Sequence, residues 1–243
     1  MGGSIFGTSM MGRDAFYAFL EREGFKLKRP KPRHTTKSNH RFHKWKNLIK
    51  GYVPYGPNQL WVSDITYIQL THGRCCYLHL VTDAYSHKVI GWCLSDTLEA
   101  QNTLAALREA ISQAEGYDLS QLIHHSDRGV QYCCNAYVDE LQRIGARISM
   151  TDDYKPTDNG IAERVNGIIK TEKLYRISPY DSINEAREDI GRFITFYNEK
   201  RPHMSIGNQT PSEAHLQSGL QVRKWKSYTE KQMSTKSEKC QQS

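Results

Sequence analysis

Apolar runs of about 18 residues, the least a membrane-spanning helix needs, are absent from this sequence. The opening MGGSIFGTSMMGRD has no basic segment followed by an apolar one, so a secretory signal is absent too. Both absences point to a cytoplasmic protein with no membrane partner. Cysteine is scarce: 6 in 243 residues, with Cys75-Cys76 and Cys133-Cys134 adjacent and Cys93 and Cys240 alone. No pair has CxxC or Cys/His spacing, which excludes a recognisable zinc module and leaves reduced, half-buried thiols. Internal repeats are missing as well.

Acidic residues are few at the ends. Residues 1–60 carry a net charge of +9, residues 61–200 carry −6 and residues 201–243 carry +4, which together give the chain its +7. A basic arm and tail around an acidic middle suit a polyanion held by the ends, with carboxylate chemistry between them, and DNA is the leading partner. The length permits one α/β domain with appendages.

Residues 11–24 read as one short helix with Phe16, Phe19 and Leu20 on one side and Gly24 as its stop. One helix is not a helix-turn-helix. From Phe25 the chain becomes KLKRPKPRHTTKSNHRFHKWKNLIK, whose prolines and lack of periodicity predict an extended arm. There Phe42 and Trp45 alternate with Arg41, Lys44 and Lys46. Cations meet phosphates and rings stack on bases, so Arg41, Lys44, Trp45 and Lys46 are candidate DNA contacts; a solvated linker is the competing reading.

The middle alternates strands and helices, which predicts an α/β fold. Strands are expected at 61–70, 77–83, 89–94, 122–127 and 146–150. Helices are expected at 97–115, through Tyr132, Ala136, Tyr137, Leu141 and Ile144, after Asn159, and at 182–200. Thr210-Pro211-Ser212-Glu213 carries a capping box with proline at the first helical position, predicting a last helix to about Gly219. The domain reading is a partial helical segment at 1–24, a basic arm at 25–56, a core at 57–220 and a basic polar tail at 221–243.

Three acids stand out. In WVSDITYI, alternation puts Asp64 on the face of Val62, Thr66 and Ile68, where a carboxylate is costly without a cation or donors. Asp127 closes the strand LIHHSD, at the carboxyl end where α/β sheets bind ligands; a helix-capping aspartate is the alternative. Glu163, in DNGIAERVNGIIKTE, shares a helical stripe with Asn166, Gly167 and Lys170, opposite Ile161, Val165, Ile168 and Ile169. A first-turn glutamate favoured by the helix dipole is its alternative. Three carboxylates brought together repel and raise one another's pKa, and bound divalent cations remove that penalty. Mg²⁺ (or Mn²⁺) suits an all-oxygen set, and two ions about 4 Å apart activate an attacking oxygen and stabilise a leaving one at a phosphodiester.

WVSDITYI, HHSDRGVQY and DNGIAERVNGIIKTE, followed by FYNEKRPH and TPSEAH, resemble the catalytic core of the integrase/transposase superfamily with an Asp-Asp-Glu triad. More narrowly they resemble the B-frame (OrfB) product of bacterial insertion sequences that make a fused transposase by frameshifting. Thirty-five residues separate Asp127 from Glu163, the spacing of that group. The resemblance runs from about Leu60 to His215. It implies a ribonuclease-H-like mixed β-sheet flanked by helices, maps the catalytic and metal-binding triad onto Asp64, Asp127 and Glu163, and places Lys170 where a basic residue meets substrate DNA. It further implies strand cleavage and strand transfer at element ends through a circular intermediate, multimers on DNA, nucleoid association, and an upstream-frame helix-turn-helix protein or fusion that reads the ends. A noncatalytic DNA-binding regulator or remnant, and a structure-selective nuclease of the same fold, are the rival functions.

Among lesser residues, Asp83 is the best substitute ligand, with an Asx-turn as its plainer role. His124 and His125 are neighbours on a strand and face opposite ways, so they cannot easily share a metal; His125 alternates with Asp127 and either orients it or packs. Asp152, Asp153 and Asp158 lie in the loop before the Glu163 helix, and Asp158 or Asn159 is expected to cap it. Arg201 and His203 read as structural or DNA-contacting.

Overall fold

In the computed structural model, residues 12–25, 39–152, 159–221 and 224 are described. Asp153, Asp158, Cys240 and most of the tail, all considered above, lie outside them. The chain divides into two compact units, Met1–Pro32 and Arg33–Ser243. In the first, α1 (Arg13–Arg22) has Asp14 in its first turn and Arg22 in its last, which suits the helix dipole. Gly24 ends it at φ +76°, a conformation glycine adopts without strain.

The second unit is built on five strands: β1 (Leu60–Gln69), β2 (Cys75–Asp83), β3 (Val89–Ser95), β4 (Ile123–Ser126) and β5 (Arg147–Met150). Their order is β3-β2-β1-β4-β5, with β1–β2 and β2–β3 antiparallel and β1–β4 and β4–β5 parallel. The helices are α2 (Ala100–Gln113), α3 (Val130–Cys133), α4 (Asn135–Arg143), α5 (Gly160–Ile168), α6 (Ile183–Glu199) and α7 (Pro211–His215). No helix among the described residues is long and apolar enough to cross a membrane.

Alternation along β1 sorts the core. Trp61 and Ile65 join Leu104 and Leu107 of α2 and Tyr137 and Leu141 of α4 on one face. Ile68 points the other way and meets Val165 of α5 and Ile190, Ile194 and Tyr197 of α6. Each such aliphatic side chain, fully buried, contributes about 1.5–3 kcal/mol. Helix α2 lies so close to β3 that a Cβ on Gly91 would sit 2.1 Å from the Ala106 carbonyl oxygen.

Both sheet edges are covered. Along β3, the Asn198 amide accepts from the Val89 N–H (3.0 Å) and donates to the Val89 carbonyl (2.9 Å), Glu109 accepts from the Trp92 N–H, and Arg187 donates to the Leu94 carbonyl. Along β5, Met150 N–H donates to the Lys46 carbonyl (3.4 Å) and Leu48 N–H donates to Ser149 Oγ (2.9 Å). Unpaired edges invite pairing with other chains, and these contacts remove that option.

The structure departs from the sequence reading at several ends. The single helix expected through Tyr132 and Ile144 is two, because Cys134 (φ −68°, ψ 148°) is extended and starts α4 afresh. After Ile168 the α5 helix widens into a π turn, Ile169–Lys173, then a 3₁₀ turn, Leu174–Arg176. The capping box at Thr210 and Glu213 forms, yet α7 ends at His215, whose ring is tied to Ser86.

Candidate active site

Asp64 and Asp127 come together because β1 and β4 are adjacent and parallel. Asp64 projects among apolar neighbours on the α5 side. Its Oδ1 accepts from the Ile65 N–H (2.9 Å) and its Oδ2 from Asn166 Nδ2 (2.6 Å). These donors do not offset its surroundings: burial first, then the charge of Asp127, raises its pKa from 3.8 to about 7. Its surroundings thus disfavour the charged form of this carboxyl.

Asp127 leaves the end of β4 and accepts from the Gly129 N–H at Oδ1 (2.9 Å). That bond closes a turn just before α3 and is not a helix cap, since Gly129 is the capping residue and no side chain caps it. A Cβ at Gly129 would fall 2.9 Å from Asp127 Oδ1, so glycine leaves the carboxylate its room. Tyr132 lies below, buried, its hydroxyl without a hydrogen-bond partner and its pKa pushed well up by burial and then by Asp127 and Asp64.

Glu163 stands apart from this pair. It is exposed in the first turn of α5, where partial burial raises its carboxyl above the usual range. It lines an open groove of about 510 Å³ with Gly160, Arg164, Gly167, Glu172 and Arg201. Among the described residues no three His, Cys, Asp or Glu side chains are grouped to hold a metal. The stripe read from the sequence is divided: Gly167 lines the groove with Glu163, while the buried Asn166 reaches Asp64 and Lys170 places its ammonium 5.2 Å from the centre of the Tyr67 ring. Burial lowers the Lys170 pKa while Asp64 opposes that shift.

From residue 39 the described part of the arm is extended, with Trp45, Asn47 and Ile49 half-buried and Lys44, Lys46, Leu48 and Lys50 exposed between them. Trp45 packs against the β1/α2/α4 core, with the His43 ring edge-on at 4.7 Å. The half-buried indole thus has a packing role, and Arg41, Lys44, Lys46 and Lys50 are cations the arm exposes. His40 hydrogen-bonds the Arg128 carbonyl (2.9 Å), and Lys50 pairs with Asp152, tying the arm to both sides of the Asp127 turn.

The remaining residues settle into structural roles. Asp83 is fully buried and accepts from the Asn58 N–H, the Ser86 N–H and Ser86 Oγ, so it ties down the turn after β2 through residue i+3, one position beyond an Asx-turn. His124 and His125 do face opposite ways: the first meets Ser63 Oγ and Tyr137 OH, the second Ser149 Oγ. Burial drops the His124 pKa to about 3, so its ring is neutral. Asn159 does not cap α5 with its side chain, because its amide donates to the Ser63 carbonyl (3.0 Å). Arg201 forks onto Glu172 (2.7 and 2.5 Å), and His203 packs edge-on against Tyr197. Sequence reasoning gave Asn166 a place on the stripe but no task. Nothing in the sequence singled out Tyr132 as a neighbour of both aspartates.

Two family models match the chain, each described as an integrase core domain, over residues 54–156 and 144–211. A transposase for insertion sequence element IS904 from Lactococcus lactis is 30% identical over 213 residues, covering 86% of this chain and 76% of that protein. A putative transposase for insertion sequence element IS986/IS6110 from Mycobacterium tuberculosis is 34% identical over 165 residues, 67% of this chain. The chain spans 59% of the length of that relative. Among solved structures, the HTLV-2 integrase catalytic core domain in complex with magnesium superposes with a TM-score of 0.52 at 21% identity, covering 67% of this chain and 99% of that one. A simian T-cell lymphotropic virus intasome chain gives 0.56 at 20% identity, covering 82% and 65%. The fold is thus the ribonuclease-H-like one, a mixed sheet flanked by helices.

Proposed function

The chain belongs to the integrase-core family of insertion-sequence transposases, and from that premise we propose that it cuts DNA strands at the ends of an insertion sequence and transfers them to new positions. One observation carries the reading: the middle of β1 and the end of its parallel neighbour β4 bring Asp64 and Asp127 together, so that burial first and the Asp127 charge second lift Asp64 to about 7. A fold tolerates such a pair where a cation relieves it. The donor set fits a hard divalent ion: carboxylate oxygens, with the buried Asn166 Oδ1 beside them lacking any hydrogen-bond partner.

Asp64 and Asp127, joined by Glu163 once it is brought in from the groove, would hold Mg²⁺ or Mn²⁺, two ions per site; the HTLV-2 core carries magnesium. The chemistry such ions supply when bound is stabilisation of the attacking and leaving oxygens of a phosphodiester. The protein's own residues do the rest. Asn166 fixes the Asp64 carboxylate, Gly129 fixes that of Asp127, and Lys170 offers a cation to a phosphate beside Asp64. Arg41, Lys44 and Lys46 would hold flanking DNA. As a transposase it would act as a multimer on DNA, in the cytoplasm at the nucleoid, with element ends read by an upstream-frame helix-turn-helix region.

The test is incubation with DNA bearing the element ends and Mg²⁺, with products resolved on a gel. Cleaved strands plus new phosphodiester joints are expected from the parent, and none from folded Asp127→Asn and Glu163→Gln variants. Full activity in either variant sinks the site assignment. Hydrolysis without joining would make the protein a nuclease, and binding without cleavage a regulator.

A further inference from the structure

The π turn Ile169–Lys173 is a costly feature in need of a cause. Such turns are rare inside helices and persist where tertiary contacts over-determine them. Here two ion pairs converge on it, both from the α6 side. Arg201, just past the end of α6, forks onto Glu172 with Nε–Oε2 at 2.7 Å and Nη2–Oε1 at 2.5 Å. Lys173 Nζ lies 2.7 Å from Asp189 Oδ2 within α6. The second pair is shared, since Asp189 also accepts from Tyr180 OH and pairs with Arg192. The Glu172–Arg201 fork is the better defined of the two: both side chains are mostly sheltered, at 35% and 21% exposure, and the contact is bidentate.

The same turn carries Lys170, which points the other way, over Tyr67 and within electrostatic reach of Asp64. A half-buried ammonium is held there only if the backbone beneath it stays in place. An ion pair at this exposure adds little to the stability of the fold but is enough to set the phase of one helical turn.

We infer that Arg201 is a positioning residue: by gripping Glu172 it fixes the widened turn from which Lys170 reaches toward Asp64, and so sets the cation that meets DNA there. The inference rests on reading this site as a DNA strand-transfer centre. It gives the arginine of FYNEKRPH a task that acts through Lys170 and not by touching DNA.

A double-mutant cycle in DNA affinity tests it, using the full chain and a short fluorescein-labelled blunt duplex at low salt, read by anisotropy. Lys170→Ala should weaken binding about tenfold, and Arg201→Ala or Glu172→Gln about three- to fivefold. In the Lys170→Ala background both should change affinity by less than about 1.5-fold, and Arg201→Lys should recover part of the loss. Glu172→Gln serves if Arg201→Ala fails to fold. Equal losses with and without Lys170, or no loss in the parent, overturn the inference. A Lys170→Ala protein that binds DNA as well as the parent overturns it too, and marks the failure as one of the underlying reading, because no Arg201 variant is needed to see it.

Discussion

At the scale of single residues, the site is defined by a conflict that the fold does not resolve internally. Asp64 is raised to about 7, by burial first and Asp127 second, against an ordinary 3.8. A raised folded pKa means the native state holds its proton longer than the unfolded chain does. The stabilisation is therefore complete below about 4 and lost as pH rises through about 7. Metal-free protein should lose stability across that window. Asp64→Asn, which keeps the shape without the charge, should melt several degrees higher than the parent at pH 8 in chelator and lose the advantage at pH 4. Mg²⁺ should raise the melting temperature of the parent and leave the variant unmoved. Thermal unfolding followed by circular dichroism checks all three, and a variant less stable than the parent at pH 8 would contradict the account.

Gly129 makes the complementary point about space. Its backbone suits any residue (φ −65°), yet a methyl group there would sit 2.9 Å from Asp127 Oδ1. Gly129→Ala should fold with a melting temperature within a few degrees of the parent while strand cleavage falls about tenfold or more, because the carboxylate is displaced. Near-parental cleavage rates would show that Asp127 has no need of its position.

Elements were legible in the sequence wherever periodicity was strong. All five strands form within a few residues of their expected ends, and α6 starts at its Ser182 cap. Breaks inside helical patterns were not legible. Cys134 turns extended and Ile169–Lys173 widens, and hydropathy spacing carries no trace of either. Asn198 is a similar case: on the helical pattern it is one polar residue near the end of α6, whereas in the fold it satisfies both polar groups of Val89 at the sheet edge. Asn198→Ala should cost about 2 kcal/mol in urea unfolding, since a buried N–H and C=O lose their partner together. A cost within about 0.5 kcal/mol would mean that water replaces the amide there.

For the whole molecule, the uneven charge becomes a division of labour. The acidic middle holds Asp64 and Asp127, and the arm lays its cations outward while Trp45 and Ile49 face in. Neutralising Lys44 and Lys46 together should leave the melting temperature unchanged, weaken DNA binding, and lower the slope of log affinity against log salt by roughly 1–2. Trp45→Ala should do the reverse, lowering the melting temperature through lost packing and an uncovered β5 edge. Affinity titrations across salt, paired with melting curves, separate the two. Equal salt slopes for parent and double lysine variant would remove the arm from the DNA path.

The sequence by itself determined the α/β alternation, the faces of β1 and α5, and the identity of the candidate acids, because these depend on local periodicity and on residue type. Only the tertiary structure decided which of them meet. Strand order made β1 and β4 neighbours and so joined Asp64 to Asp127. Packing of α5 on the sheet gave Asn166 to Asp64 and left Glu163 facing the groove with Arg201. Such pairings join residues up to about a hundred positions apart, and what fixes them is the burial of whole faces, a quantity that no local window of sequence contains.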